Sequence, residues 1–303
     1  MKKALVTGAA GFVGRHALKA LHDRGFEVHA VSRAARSEPE FVRWRQADLL
    51  NAASAAALVD GVGPSHLLHL AWTTEHGEYW RSAANLDWLT ASLRLVRAFA
   101  DAGGKRVVVA GTCAEYDWGR LGEAPIREHE TPCAPTTPYG QAKHTLRQAV
   151  SAYAAETGLS CAWGRIFLLY GADEPPERLV PSVIRALLEG EPARCTDGRQ
   201  VRDYMDARDA GAAFAALLDC DVEGPVNVAS GVPVAVAKVA EMLADIVGRT
   251  GLVQLGALEA RAGDPPRLVA DTTRLNTEVG FQPRYDLRAG LADAVAWWRQ
   301  RLG

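Results

Sequence analysis

The sequence predicts an α/β fold, a doubly wound parallel sheet with a smaller α+β region after it, and three observations carry that prediction. Short apolar runs of strand length alternate with segments of helical spacing through the first half of the chain. The glycines Gly8, Gly11 and Gly14 stand where the first such run passes into the first helical segment. After Gly171 the alternation breaks at Asp173-Glu174-Pro175-Pro176.

The elements follow in order. Lys3 to Thr7 reads as a strand, and Phe12 to Arg24 as a helix through Phe12, Val13, Ala17, Leu18 and Leu21. Glu27 to Ser32 closes a βαβ unit of Rossmann type, whose crossover is right-handed. A third short strand precedes Asp48, and the alanine run Ala52 to Ala57 is a helix, alanine being the best helix former. Strands are expected at Ser65 to Leu70, Arg106 to Gly111 and Ser160 to Phe167, with helices at Ser82 to Ala102 and Tyr139 to Thr157 between them. Beyond Gly171 the reading gives a helix from about Leu179 to Glu189 and short strands around Val201 and Val226. The alanine-rich helix Ala207 to Leu218 returns to cover the sheet, so the boundary is discontinuous. Residues 1–164 plus about 206–228 form one expected domain, and about 165–205 plus 229–303 the smaller substrate domain.

Composition narrows the classes of function. With 303 residues, 48% hydrophobic and 23% charged, the chain buries a sizeable core. A net charge of -2 and the absence of a basic stripe with interleaved aromatics argue against nucleic acid. The 5 cysteines have no paired spacing, which suits a reducing cytoplasm better than a disulfide framework or a zinc site. The start of the sequence lacks the long apolar run of a signal peptide, and no stretch is long enough to span a bilayer. His66 and His69 have no third ligand at metal-like spacing, so no metal is expected.

The glycine loop is the expected dinucleotide site. Gly8 permits the tight turn, Gly11 lets the backbone approach a pyrophosphate, and Gly14 lets the helix pack on the strand, with Phe12 and Val13 between them. An NAD site usually places an acid at the end of the second strand, but Ser32 and Arg33 stand there, with Arg36 close by. Guanidinium and hydroxyl groups suit a 2′-phosphate, so NADP(H) is expected over NAD(H). Asp48 and Leu49 are the candidate adenine contacts. Tyr139 and Lys143 are four apart on one helix face, so that an ammonium can favour the phenolate and the tyrosine can exchange a hydroxyl proton during hydride transfer. Thr112 emerges at the carboxyl edge of the sheet beside them.

Taken with His69-Leu70-Ala71, Tyr139-Gly140-Gln141-Ala142-Lys143, Arg202-Asp203-Tyr204 and Arg261-Ala262-Gly263-Asp264, these motifs make nearly the whole chain resemble an extended short-chain dehydrogenase/reductase of the sugar-nucleotide epimerase/dehydratase/reductase group. The resemblance implies that Thr112 steadies the carbonyl oxygen, that Tyr139 is the acid/base, and that Lys143 partners it and contacts the nicotinamide ribose. It also implies that Leu70 and Ala71 line the cofactor, that Asn85 helps to order it, and that Arg202 and Arg261 hold a nucleotide diphosphate. Thr73, Leu168 and Val180 complete the expected substrate set, and Trp72, Tyr79 and Trp80 either stack on a ligand or pack beneath a loop. The two long helices imply a homodimer through a four-helix bundle.

Departures from the group narrow the reaction. Sugar-nucleotide 4,6-dehydratases place Asp-Glu directly after the catalytic threonine, where this chain has Cys113 and Ala114; Glu115 is one position late and points elsewhere. An NADPH-type pocket suits net reduction, so the expected activity is NADPH-dependent reduction of a nucleoside-diphosphate-linked 4-keto-6-deoxysugar. A redox-neutral nucleotide-sugar epimerase with bound NAD is the alternative, and a cofactor-sensing protein without turnover the third reading.

Overall fold

The computed structural model describes residues 2–75, 77–260 and 263–303. In chain order its elements are β1 (Lys2–Thr7), α1 (Gly14–Asp23), β2 (Phe26–Ser32), β3 (Val42–Gln46), α2 (Ala52–Val62), β4 (His66–His69), α3 (Ala84–Asp101), β5 (Arg106–Thr112), α4 (Pro138–Thr157) and β6 (Ser160–Ile166). There follow β7 (Leu168–Tyr170), α5 (Leu179–Glu189), β8 (Ala193–Arg194), β9 (Val201–Asp206), α6 (Ala207–Leu218), β10 (Gly224–Val228), β11 (Pro233–Ala235), α7 (Val236–Val247), β12 (Val253–Gln254), β13 (Arg267–Leu268) and α8 (Leu287–Leu302).

Seven strands form one parallel sheet in the order β10-β6-β5-β4-β1-β2-β3. The winding reverses at β1, which lies between β2 and β4, and ligands of such sheets bind at the carboxyl ends of the strands on either side of that reversal. Both faces are covered, as a parallel sheet requires. Along β1, Ala4 and Val6 pack into a core shared with α1 and α6, whereas Leu5 packs into a second core under α2, α3 and α4. Along β5 the same alternation sends Val108 and Ala110 one way and Val107 and Val109 the other. Helices α1 and α6 meet almost backbone to backbone: a Cβ on Gly211 would lie 2.6 Å from the His16 Cβ and 2.7 Å from the Ala17 nitrogen.

The smaller region is built on β9, which pairs in parallel with β7 and β13 and antiparallel with β11. Helices α5, α7 and α8 enclose its core around Ile184, Leu187, Val239, Leu243, Leu291 and Trp298. One expectation needs adjustment. The single strand expected over Ser160 to Phe167 divides at Phe167, whose backbone N–H bonds to the Val228 carbonyl, and the chain leaves the large sheet there to become β7 of the small one. The strand around Val226 is β10, an edge strand of the large sheet beside β6. No helix among the described residues is long and apolar enough to cross a membrane.

Candidate active site

The glycine loop follows β1 at the reversal of the sheet, and each glycine is required for a different reason. Gly8 has φ +66°, and a Cβ there would lie 2.7 Å from the backbone of Leu70 and Ala71. A Cβ on Gly14 would lie 2.1 Å from the Gly8 carbonyl oxygen, so only glycine lets α1 start against the turn. Gly11 is exposed, and its Cβ would meet only the Gly8 oxygen, at 3.1 Å. The protein itself tolerates a side chain there better than at the other two, so the open space over Gly11 fits a ligand. Val13 is the N-cap of α1 and supplies no side-chain cap; the Arg15 and His16 N–H groups donate to the Gly11 and Val13 carbonyls, and the positive end of the helix dipole lies at that loop, as a pyrophosphate needs. These features fit a dinucleotide.

The far end of that site differs from expectation. Arg33 is exposed, and Arg36 rests its guanidinium over the Trp44 ring, 5.6 Å from the centroid. Ser32 accepts from the Ala34 N–H, and exposed Asp48 accepts from the Leu50 N–H as a turn residue, while Leu49 is buried in the core under α2. These are ordinary loop roles. The backbone of Leu70 and Ala71 lies against Gly8, and the Ala71 N–H bonds to the Thr7 hydroxyl. Asn85 is fully engaged with the protein: its amide donates to the Tyr79 and Ser82 carbonyls and accepts from the Trp72 indole. It orders the loop between β4 and α3 rather than reaching into the site.

The catalytic residues converge at the carboxyl end of β5. Thr112 is the last residue of that strand and caps a short 3₁₀ turn, its hydroxyl accepting from the Ala114 N–H, which leaves the hydroxyl proton to donate. Thr137 and Pro138 start α4 as cap and first residue. Gly140 brings the helix onto the turn, where a Cβ would lie 2.5 Å from the Ala114 carbonyl oxygen. Tyr139 then packs edge-on against Tyr79 and Trp80, at centroid distances of 4.9 and 5.5 Å. Burial pushes its phenol above the ordinary value, and the charge of a Tyr79 phenolate would add to that, while the neighbouring Thr112 side chain favours ionisation.

Lys143 lies one turn further on, only 3% exposed. Its ammonium donates to the Ala110 carbonyl at 2.8 Å and sits 4.0 Å from the centre of the Trp72 ring. Burial lowers its pKa to about 7, against the opposing effect of the Glu115 charge. The expectation that this ammonium depresses the Tyr139 pKa is therefore corrected: it is engaged elsewhere, and burial leaves the tyrosine protonated. His69 is neutral, with both ring nitrogens bonded to the Thr7 and Ser92 hydroxyls and its pKa lowered to about 3 by burial.

Nothing here serves as the dehydratase acid pair. Cys113 is buried, its thiol pushed up to about 12, and Ala114 has no acid to offer. Glu115 turns inward, with one oxygen accepting from the Thr112 N–H and the Trp163 indole and the other bonded to Arg165. Among the described residues, no group of three His, Cys, Asp or Glu side chains is arranged to hold a metal ion.

The substrate-facing expectations disperse. Thr73 is half-buried in the loop after β4, and Leu168 is half-buried in β7. Val180 is wholly inside the small core. Arg202 is buried on β9 and forms an ion pair of 2.6 Å with Asp264. Arg261 lies outside the described residues. Trp72 and Gly140 have roles that sequence reasoning did not assign, one under Lys143 and the other under Tyr139.

Fold and site together define a nicotinamide-dependent enzyme of the short-chain dehydrogenase/reductase class. The chain belongs to the NAD dependent epimerase/dehydratase family, which matches residues 4–229. It is 28% identical to a UDP-glucose 4-epimerase of Rhizobium meliloti, over 98% of this chain and 97% of that one. It is 30% identical to a dTDP-6-deoxy-L-talose 4-dehydrogenase (NAD(+)) of Aggregatibacter actinomycetemcomitans, over 76% and 84%. A Thermus thermophilus UDP-glucose 4-epimerase solved in complex with NAD superposes with a TM-score of 0.84 at 26% identity, covering 98% and 99%. The expectation of NADP(H) is overturned by this: the family is NAD-dependent, and the arginines that suggested a 2′-phosphate are exposed or stacked on Trp44.

Proposed function

We propose that the chain is a redox-neutral nucleoside-diphosphate-sugar 4-epimerase that retains NAD. The observation that carries this reading is the grouping of Thr112, Tyr139 and Lys143 at the end of β5, beside the glycine loop and without a further acid or base for elimination. The epimerase relatives support it. The expected reduction of a 4-keto-6-deoxysugar rested on an NADPH-type pocket, and that premise has gone.

Gly8, Gly11, Gly14 and the start of α1 would hold the dinucleotide, with Leu70 and Ala71 behind it. When bound in its oxidised form, the cofactor supplies a hydride acceptor and a positive charge that favours the phenolate. The Thr112 hydroxyl donates to the sugar O4. Tyr139 takes the O4 proton as the C4–H bond is broken, and gives it back when hydride returns to the opposite face of the 4-ketone. Lys143 anchors its ammonium on the Ala110 carbonyl one turn along α4, where it can contact the nicotinamide ribose, and the apolar walls of Tyr79, Trp80 and Trp72 keep water from the ketone. Arg202 grips the diphosphate once Asp264 releases it. We assign residues 1–164 plus about 206–228 to the cofactor and the remainder to the sugar nucleotide. We also infer a homodimer through α3 and α4, since Leu86 and Leu93 are exposed two turns apart on α3.

The test is to incubate the purified protein with UDP-glucose without added cofactor. Formation of UDP-galactose with no net NADH supports the reading, and stoichiometric NADH accumulation overturns it. A second reading, net 4-dehydrogenation with NAD, is favoured by the dehydrogenase relative and is identified by that same accumulation.

A further inference from the structure

Glu115 is a fully buried carboxylate beside the catalytic residues to which the chemistry above gives no part. Its surroundings are built for it. Thr112 and Glu115 form a reciprocal capping box: the Thr112 hydroxyl accepts from the turn, and Glu115 Oε1 accepts from the Thr112 N–H at 2.9 Å. The same oxygen accepts from Trp163 Nε1 at 2.7 Å, while Oε2 meets Arg165 Nε at 3.2 Å and lies 3.7 Å from Arg147 Nε and 4.0 Å from His144 Nδ1. A Cβ on Gly111 would strike both Trp163 Nε1 and Glu115 Oε1, at 2.0 and 2.5 Å, so the strand gives up a side chain to admit the carboxylate. Burying a charge this way is costly unless its lone pairs are satisfied, and here the Thr112 N–H, the Trp163 indole and the Arg165 guanidinium satisfy them.

We propose that Glu115 is a positioning residue for the catalytic set: one oxygen fixes the backbone that carries the Thr112 hydroxyl, and its negative charge is the counter-charge that sustains Lys143. The charged and titratable groups facing this corner are Glu115 and Cys113 from the turn after β5, His69 from β4, Tyr79 from the loop after β4, Cys133 from the segment before α4, Arg165 from β6, Arg202 from β9, and Tyr139, His144 and Arg147 from α4. Of these, Glu115 is the anion. Its field raises the Lys143 pKa against burial, so the lysine stays partly charged near neutral pH through this carboxylate. Arg147, one turn after Lys143 on the same helix, partly offsets that charge.

The proposal rests on the epimerase reading only for its turnover readout. The direct readout is the ¹³Cε titration of Lys143 in the isolated protein, assigned with Lys143→Arg. Glu115→Gln, which keeps the shape and the acceptor for Thr112, is expected to lower the Lys143 midpoint by about one pH unit or more, and Arg147→Gln to raise it by about half a unit. The alkaline loss of turnover is expected to move the same way in each variant. Trp163→Phe, which removes a donor to the same oxygen but no charge, is expected to lower Tm without moving the midpoint. An unmoved midpoint in Glu115→Gln overturns the proposal, as does a shift of equal size in Trp163→Phe. Should Glu115→Gln not fold, an unmoved midpoint in Arg147→Gln overturns it. Shifted midpoints in a protein that turns over no nucleotide sugar would instead overturn the function.

Discussion

The catalytic corner and the ribose corner stand at the carboxyl ends of strands of one sheet, β5 and β2, and are built in opposite ways. At β5, Thr112, Glu115, Tyr139 and Lys143 are all buried, and Glu115 and Lys143 are tied to neighbours on other elements of the fold. At β2, Ser32 is half-buried, Arg33 and Arg36 are exposed, and the hydrogen bonds are local turns. A buried side chain has one position and one set of partners, so its chemistry follows from its type. An exposed arginine has many conformations, and its type says little about what it touches.

The largest expected effect breaks the buried corner. Tyr139→Phe removes the proton carrier while keeping the ring against Tyr79 and Trp80, and is expected to lower kcat by about 10² to 10⁴-fold with NAD still bound, as steady-state kinetics and the absorbance of released cofactor will show. Next comes the glycine loop between the corners. Gly14→Ala forces a Cβ onto the Gly8 carbonyl and is expected to cost about 1–3 kcal/mol in chemical denaturation. Gly11→Ala is expected to unfold almost as the wild type does, yet to bind NAD about tenfold more weakly by calorimetry.

A third effect is on pH. Lys143 titrates at about 7 in the folded protein and near its ordinary value of 10.5 when unfolded, so between those values the unfolded chain binds more protons. Its contribution therefore makes stability rise with pH across that window, and the gain is lost as pH falls back to 7. Lys143→Met is expected to remove this slope, seen as a stability difference from wild type that is largest near pH 7 and fades toward pH 10. The smallest effect is at the ribose corner, where Arg33→Ala and Arg36→Ala are each expected to change NAD affinity by less than about twofold. A tenfold loss in either would show the two corners to be more alike than their burial suggests.

Periodicity made the large sheet legible, because both faces of a parallel sheet are buried and its strands read as apolar runs flanked by helices. It did not show the break at Phe167: the apolar run continues through it, while the partners that part β6 from β7, β10 for the one and β9 for the other, come from distant stretches of the chain. Spacing made Thr112, Tyr139 and Lys143 legible. The Glu115 network was marked by its capping-box pattern, a threonine followed three residues on by a glutamate, but its partners Arg165 and Trp163 come from another strand. Nothing local told that Arg36 would stack on Trp44, or that Val180 would turn into the small core.

The close seat of α6 on α1 has a consequence for biosynthesis. The apolar face of the first helix is covered by a helix that begins almost two hundred residues later, and β10 joins the sheet later still. A nascent chain emerging in order therefore carries the finished glycine loop on a helix packed only against β1 and β2, with the side at His16 and Ala17 that seats α6 uncovered until Leu218 has left the ribosome. Truncation before Ala207 should yield an aggregating fragment rather than a free-standing cofactor-binding half. The last third of the chain is thus what makes the first third foldable.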